Sequence, residues 1–178
     1  MAGPGSGAAA LPSVSVVIPV GRDGAALPGL LDRLAAVRAE HALDLEVIVV
    51  DEGAGGAALV EARGDPWLRR LEPGGVRGFG AAAVAGLRVA RREAVLVMRA
   101  DGLHPPERIP DLLVALGQGN DFAIGVRATP AAGAGGLVRR LERRAAALLA
   151  RPFTRTADPL SGFFALRRAA LERAEPLN

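Results

Sequence analysis

Three short, mostly apolar runs limit what this chain can fold into. They are Val14–Ile18, Leu45–Val50 and Ala94–Met98. Runs of this length, rich in Val, Ile and Leu, read as buried strands, although length alone does not separate a strand from a stretch of buried helix. Between them the apolar period changes. Across Ala25–Glu40, Leu27, Leu30, Leu31, Leu34 and Val37 recur at helical spacing. Strands that alternate with helices argue for an α/β fold with a mostly parallel central sheet covered on both faces. Right-handed crossovers then gather the strand C-terminal ends on one edge. Pro19, Asp51 and Asp101 each fall at such an end.

The same pattern predicts further elements: a short helix over Ala57–Arg63, an edge strand over Trp67–Leu71, and a glycine-rich turn over Gly74–Gly80 opening a helix to about Arg92. Beyond them it predicts a helix over Glu107–Leu116, a strand over Phe122–Val126, a flexible loop over Thr129–Gly136, a helix over Leu137–Ala150, an extended segment over Ser161–Leu166 and a final helix over Arg167–Ala174. Residues 1–12, rich in Ala, Gly and Pro with no basic start, read as a disordered tail rather than a signal peptide. Residues 13–178 read as a single domain, and the chain's stop at Asn178, soon after a helix begins, is expected to be a C-terminal truncation.

With 50% apolar residues the chain has the means for a real core. It contains no cysteine, so thiolate and disulfide chemistry are excluded. No run approaches the roughly 20 apolar residues of a membrane-spanning helix. The net charge of +3 is unevenly spread. Residues 1–136 carry 13 Arg and 15 acids, and residues 137–178 carry 9 Arg and 4 acids. A basic C-terminal quarter suits an anionic partner such as a phosphate or a lipid headgroup. Five Phe, one Trp and no Tyr are too few for a surface that stacks nucleic-acid bases. In the predicted helix over Leu137–Ala150 an apolar stripe lies beside Arg139, Arg140, Arg143 and Arg144. That pattern fits a helix resting on an anionic membrane, and equally a core helix with a solvated basic face.

The stretch from Arg99 to Glu107 holds the strongest candidate chemistry. It follows a buried strand and ends in Pro105-Pro106-Glu107, which reads as a helix start with an acid at the positive end of the dipole. A carboxylate at Asp101 therefore sits where open α/β sheets bind ligands. Asp51 and Glu52 could accept hydrogen bonds from a ribose or base, or could form a turn ended by Gly53. Gly78-Phe79-Gly80-Ala81-Ala82-Ala83 matches the dinucleotide fingerprint, with Asp101 about twenty residues on. The same glycines also suit a tight turn with close helix packing. His104 reads as a ligand, a general acid, or a packed or exposed loop residue.

Taken in order, Val14-Ser15-Val16-Val17-Ile18-Pro19, Val47-Ile48-Val49-Val50-Asp51, Arg77-Gly78-Phe79-Gly80, Ala100-Asp101 with His104-Pro105-Pro106-Glu107-Arg108-Ile109-Pro110, Ile124-Gly125 with Arg127, and Asp158-Pro159 with Ser161-Gly162-Phe163-Phe164 resemble the family 2 glycosyltransferases. Within that family the chain is most similar to the dolichyl or polyprenyl phosphate mannose synthases. The resemblance implies a GT-A fold, a nucleotide-sugar donor, usually GDP-mannose, and transfer with inversion to a polyprenyl phosphate at a membrane surface. It implies a cytoplasmic protein, peripheral at the inner face of the membrane, with a separate membrane-anchor protein as a candidate partner. It assigns the nucleotide to Pro19, Asp23, Asp51, Glu52, Gly78, Gly80 and Ala100, the diphosphate to Asp101 with Arg99, and the acceptor phosphate to Arg127, Arg139 and Arg140.

The resemblance also implies a divalent metal, Mg²⁺ or Mn²⁺, and here the chain departs from the pattern. The family usually writes Asp-Ala-Asp-Leu-Gln-His-Pro-Pro, whereas this chain has Arg99 for the first Asp and Leu103 for the Gln. Only Asp101 remains as a side-chain metal ligand. Hard cations require several oxygen donors, and an arginine among them repels the ion. Two family readings stay open: Arg99 takes the place of the metal, or the site is degenerate and binds a ligand or partner without catalysis. A dinucleotide-binding module is the reading from another class.

Overall fold

The computed structural model describes residues 10–21, 24–53, 56–72, 74–75, 78–126 and 162–173. Asp23, Arg127, Arg139 and Arg140 lie outside these residues. So do most of the expected tail, the loop over Thr129–Gly136 and the basic helix over Leu137–Ala150.

Six strands form one sheet: β1 (Val14–Val20), β2 (Leu45–Asp51), β3 (Leu68–Leu71), β4 (Ala94–Val97), β5 (Phe122–Ile124) and β6 (Phe164–Arg167). Their order is β3-β2-β1-β4-β6-β5. β1, β2, β3 and β4 are mutually parallel, and β6 runs antiparallel to both β4 and β5. β3 occupies an edge, as its weaker apolar character predicts. The expectation that every strand ends on one side fails for β6 alone. That strand lies between β4 and β5.

The helices are α1 (Leu27–Glu40), α2 (Gly56–Arg63), α3 (Phe79–Val89), α4 (Ile109–Gly117) and α5 (Arg168–Arg173). Strand alternation divides the core between two faces. Val14, Val16 and Ile18 pack with Leu27, Leu30, Leu31 and Leu34 of α1 and with Ile109, Leu113 and Leu116 of α4. Val17, Ile48, Val50, Val95 and Val97 face Ala82, Ala83 and Leu87 of α3. These side chains are buried, each contributing about 1.5–3 kcal/mol of transfer free energy when large and aliphatic. Gly86 lets α3 approach β1 closely, since a methyl group there would overlap the Val17 side chain.

Two polar residues interrupt the apolar runs, and each satisfies the other. Ser15 and Glu46 are register partners on β1 and β2. The Ser15 hydroxyl donates to Glu46 Oε1 at 2.5 Å, and Ser15 Oγ accepts the Arg91 and Arg92 N–H groups at 3.2 and 3.1 Å. Glu46 also accepts from the Arg91 N–H at 3.0 Å and Arg69 Nε at 3.2 Å. Burial pushes the Glu46 carboxyl up, but these hydrogen bonds and the nearby Arg69 and Arg92 charges outweigh it. The net direction is below the usual carboxylate value. This knot closes the end of the sheet opposite the strand C-terminal ends.

Candidate active site

The sheet opens where β1 meets β4. Even-numbered residues of β1 bond toward β2, as in Val14 N–H to Asp44 C=O and Glu52 N–H to Val20 C=O, both about 3 Å. Odd-numbered residues bond toward β4, where the Met98 N–H donates to Val17 C=O at 3.1 Å. Pro19 is the next odd residue, and it has no N–H. Its ring therefore stands where the β1–β4 ladder stops, at the Val17–Val97 pair. Strand order reverses across this seam, because β2 and β3 lie to one side of β1 and β4 to the other. Open α/β sheets bind ligands at such a point.

A cleft of about 180 Å³ lies there, lined by Pro19, Gly21, Glu52, Gly78, Phe79, Arg99 and Ala100. Five of the residues assigned from sequence meet in it: Pro19, Glu52, Gly78, Arg99 and Ala100. Gly21 and Phe79 were not assigned. The signal for Phe79 was its place between Gly78 and Gly80 at a helix start. Asp51 stands behind the cleft wall, 7% exposed, and its Oδ1 accepts the Gly53 N–H at 3.0 Å. Asp51 thus takes part in the turn ended by Gly53, while half-buried Glu52 supplies the carboxylate that lines the cleft.

Gly78 precedes α3 with φ +95° and ψ 150°, a conformation that favours glycine. Its N–H donates to Glu52 Oε2 at 2.9 Å. That bond occupies a donor which the dinucleotide fingerprint would aim at a pyrophosphate, and α3 belongs to the third strand–helix unit rather than the first. The glycines here serve a turn that ties α3 to the end of β2. Gly80 lies in the first turn of α3.

The loop after β4 is built on its own backbone. Asp101 Oδ1 accepts the Leu103 N–H at 3.1 Å, and Gly102 adopts φ +73° between them. The Arg99 N–H donates to His104 Nδ1 at 3.0 Å. Because Nδ1 accepts, a neutral His104 ring carries its proton on Nε2. His104 is 5% exposed and stacks on Phe163, ring centroids 5.3 Å apart. As a loop residue it is packed rather than exposed. Gly162 lies against the Phe79 and His104 rings, so a Cβ there would stand 3.1 Å from Phe79 Cζ and 3.4 Å from His104 Cε1. The Gly162-Phe163 step thus clamps the β4 loop to the start of α3. Glu107 does not act through the helix dipole alone. Its carboxylate accepts from Arg33 of α1 at 2.8 and 2.6 Å, and the Arg33 bond holds it below the usual carboxylate value.

Arg99 Nε donates to Asp101 Oδ2 at 2.6 Å, and the guanidinium carbon lies 5.5 Å from the centre of the Phe79 ring. Both Asp101 oxygens therefore accept hydrogen bonds, one of them from a cation. Leu103 is 69% exposed and carries no donor atom for a metal. No cluster of three His, Cys, Asp or Glu side chains suited to a metal occurs among the described residues. A divalent ion asks for several oxygens and no adjacent positive charge. The described residues of this loop do not fit one.

The family model for glycosyl transferase family 2 matches residues 15–174. The chain belongs to that family. It is 34% identical to a dolichol-phosphate mannosyltransferase of Mycosarcoma maydis, over 92% of this chain and 60% of that protein. To the dolichol-phosphate mannosyltransferase of Pyrococcus furiosus it is 33% identical, over 91% of this chain and 48% of that one. This family 2 chain thus spans roughly half to three-fifths of the length of these relatives. Its fold is of the GT-A type. It superposes on glucosyl-3-phosphoglycerate synthase from Mycobacterium tuberculosis, a structure in complex with Mn²⁺, UDP and phosphoglyceric acid. The TM-score is 0.68 at 22% identity, covering 90% of this chain and 57% of that one.

Proposed function

We propose that this family 2 chain serves the transfer of a sugar, mannose, from a nucleotide-sugar donor, GDP-mannose, to a polyprenyl or dolichyl phosphate, with inversion at the anomeric carbon. The observation that carries the reading is the cleft at the β1–β4 seam, formed by the family's own motifs and holding one acid and one cation at opposite elements. Similarity to dolichol-phosphate mannosyltransferases supports the choice of donor and acceptor. In this reading Glu52, just after β2, takes hydrogen bonds from the nucleoside together with Asp51, which also caps the turn at Gly53. Arg99 and Asp101 stand at the diphosphate. The acceptor phosphate is already anionic near neutral pH, so attack needs no strong general base. It needs stabilisation of the charge that develops on the leaving diphosphate.

Arg127, Arg139 and Arg140 remain our assignment for the acceptor phosphate on sequence grounds, as does Asp23 for the nucleotide. No helix among the described residues is long and apolar enough to cross a membrane. In this reading the basic segment, or a separate anchor protein, brings the cleft to the cytoplasmic membrane face. The test is incubation with radiolabelled GDP-mannose and dolichyl or undecaprenyl phosphate, followed by organic extraction. Label in the lipid phase supports the reading. Nucleotide binding with no transfer favours a degenerate site that binds without catalysis, a reading motivated by the Arg99–Asp101 pair. Sedimentation with vesicles tests the membrane part: pelleting with anionic vesicles should fall as salt rises, and equal pelleting with neutral vesicles counts against it.

A further inference from the structure

We propose that Arg99 is the built-in counter-charge for the diphosphate of a nucleoside diphosphate, so that the cleft takes this ligand without a divalent cation. The inference rests on the nucleotide-sugar reading above and deepens it. Three observations support it. First, the cation is in the cleft: Arg99 lines it, beside Gly78 and Ala100. Second, the cation is held. Asp101 Oδ2 fixes Nε at 2.6 Å, the Phe79 ring lies 5.5 Å from the guanidinium carbon, and Phe79 in turn rests on Gly162. A planar guanidinium with its edge fixed matches phosphate oxygens better than a mobile ammonium does. Third, the described residues of this loop offer the alternative cation no seat. Asp101 is committed to Arg99 and to the Leu103 N–H, and Leu103 offers no donor.

The charge balance fits this role. As an acceptor phosphate oxygen bonds the anomeric carbon, the bond from that carbon to the β-phosphate oxygen breaks. Its electron pair stays on the nucleoside diphosphate, which gains a unit of negative charge. A fixed guanidinium beside those oxygens stabilises the gain without having to be recruited from solution. Glu52, the acid that also lines the cleft, carries the Gly78 N–H on Oε2, at the end of β2. It does not share the β4 loop with the Arg99–Asp101 pair.

The test is calorimetric titration of the full chain with GDP, UDP and GMP, once in EDTA and once in excess Mn²⁺. GDP or UDP should bind with an affinity that differs by less than about threefold between the two conditions. Arg99→Met should weaken GDP in EDTA by tenfold or more and GMP by much less, and Arg99→Lys should recover part of the loss. Circular dichroism checks that each variant is folded; if Arg99→Met is not, the EDTA and Mn²⁺ titrations of the unaltered chain decide alone. Binding that appears only with Mn²⁺, or an unchanged GDP-to-GMP ratio in folded Arg99→Met, overturns the inference and leaves the nucleotide-sugar reading standing. Failure of both diphosphates to bind under either condition overturns both.

Discussion

If Arg99 stands where relatives place a metal-binding acid, the double change Arg99→Asp with Leu103→Gln should create a divalent-cation site. The structure gives the starting point: one carboxylate and one guanidinium in contact at 2.6 Å, close to electrically neutral together. The double change removes a positive charge, adds a negative one and leaves Asp101 Oδ2 open to an ion. It also adds an amide oxygen at Leu103, a residue exposed enough that the substitution disturbs no packing. A dication at about 5 Å gains roughly 1.7 kcal/mol per unit of charge even in the dielectric of bulk water, so about 3 kcal/mol for the two units. At 1.4 kcal/mol per tenfold that is about a hundredfold. Side-chain relaxation and salt will reduce it, and a gain of at least tenfold in Mn²⁺ affinity is expected. The assay is titration of Mn²⁺ by calorimetry, with and without GDP, against the unaltered chain and each single variant. Arg99→Asp alone should supply most of the gain. No gain in the double variant, with its fold intact by circular dichroism, would refute the placement of Asp101 and of residue 99 at one ion position.

Two further expectations concern the scaffold. Gly86→Ala should destabilise by about 1–3 kcal/mol in urea unfolding, because the new methyl overlaps Val17 and overpacking outweighs the gain of roughly 1 kcal/mol in helix propensity. Adding Val17→Ala should make the second substitution less costly than it is alone, and a Gly86→Ala protein as stable as the parent would refute the close packing of α3 on β1. Glu46 should shape the acid limb of the stability curve. Its folded value lies below the unfolded 4.5, so its contribution is complete above that value and is lost as the pH falls through the lower folded value. Glu46→Gln should cost about 1–2 kcal/mol at pH 7 and much less at pH 3, and an equal cost at both would sink the assignment of that charge to the Ser15–Arg91–Arg69 knot.

The central sheet was legible because its information is local. Val14–Val20, Leu45–Asp51 and Ala94–Val97 are apolar runs bounded by turns, and the helical spacing of α1 predicted its buried residues one for one. Contacts between distant residues were not legible. Nothing near Glu107 announces Arg33, seventy-four positions away, and nothing in Ser15 or Glu46 shows that two polar interruptions of neighbouring strands satisfy one another. The antiparallel course of β6 likewise shows only in its pairing with β4 and β5 and is not written in the residues of Phe164–Arg167. At the site, the resemblance located the motifs but not their division of labour. Of the adjacent acids Asp51 and Glu52, only the geometry separates the turn-former from the cleft residue.

That division explains how position 99 can carry arginine in a fold of this family. The container of the site is made from backbone groups. Pro19 ends a ladder by lacking an N–H, Gly78 gives its N–H to Glu52, Asp101 receives the N–H of Leu103, and His104 Nδ1 receives the N–H of residue 99. The last of these bonds involves the main chain of Arg99, so it is made whatever side chain the residue bears. The stacking of Phe163 on His104 and the contact of Gly162 with the Phe79 and His104 rings add to this frame, and the Arg99 guanidinium lies over the Phe79 ring. The cleft can therefore keep its shape while the sign of the charge at this position reverses. Shape is set in large part by the strand order and the main-chain bonds of the turns, and charge by the side chain at 99. Arginine then places a cation in the loop itself, its Nε bonded to Asp101 Oδ2 at 2.6 Å.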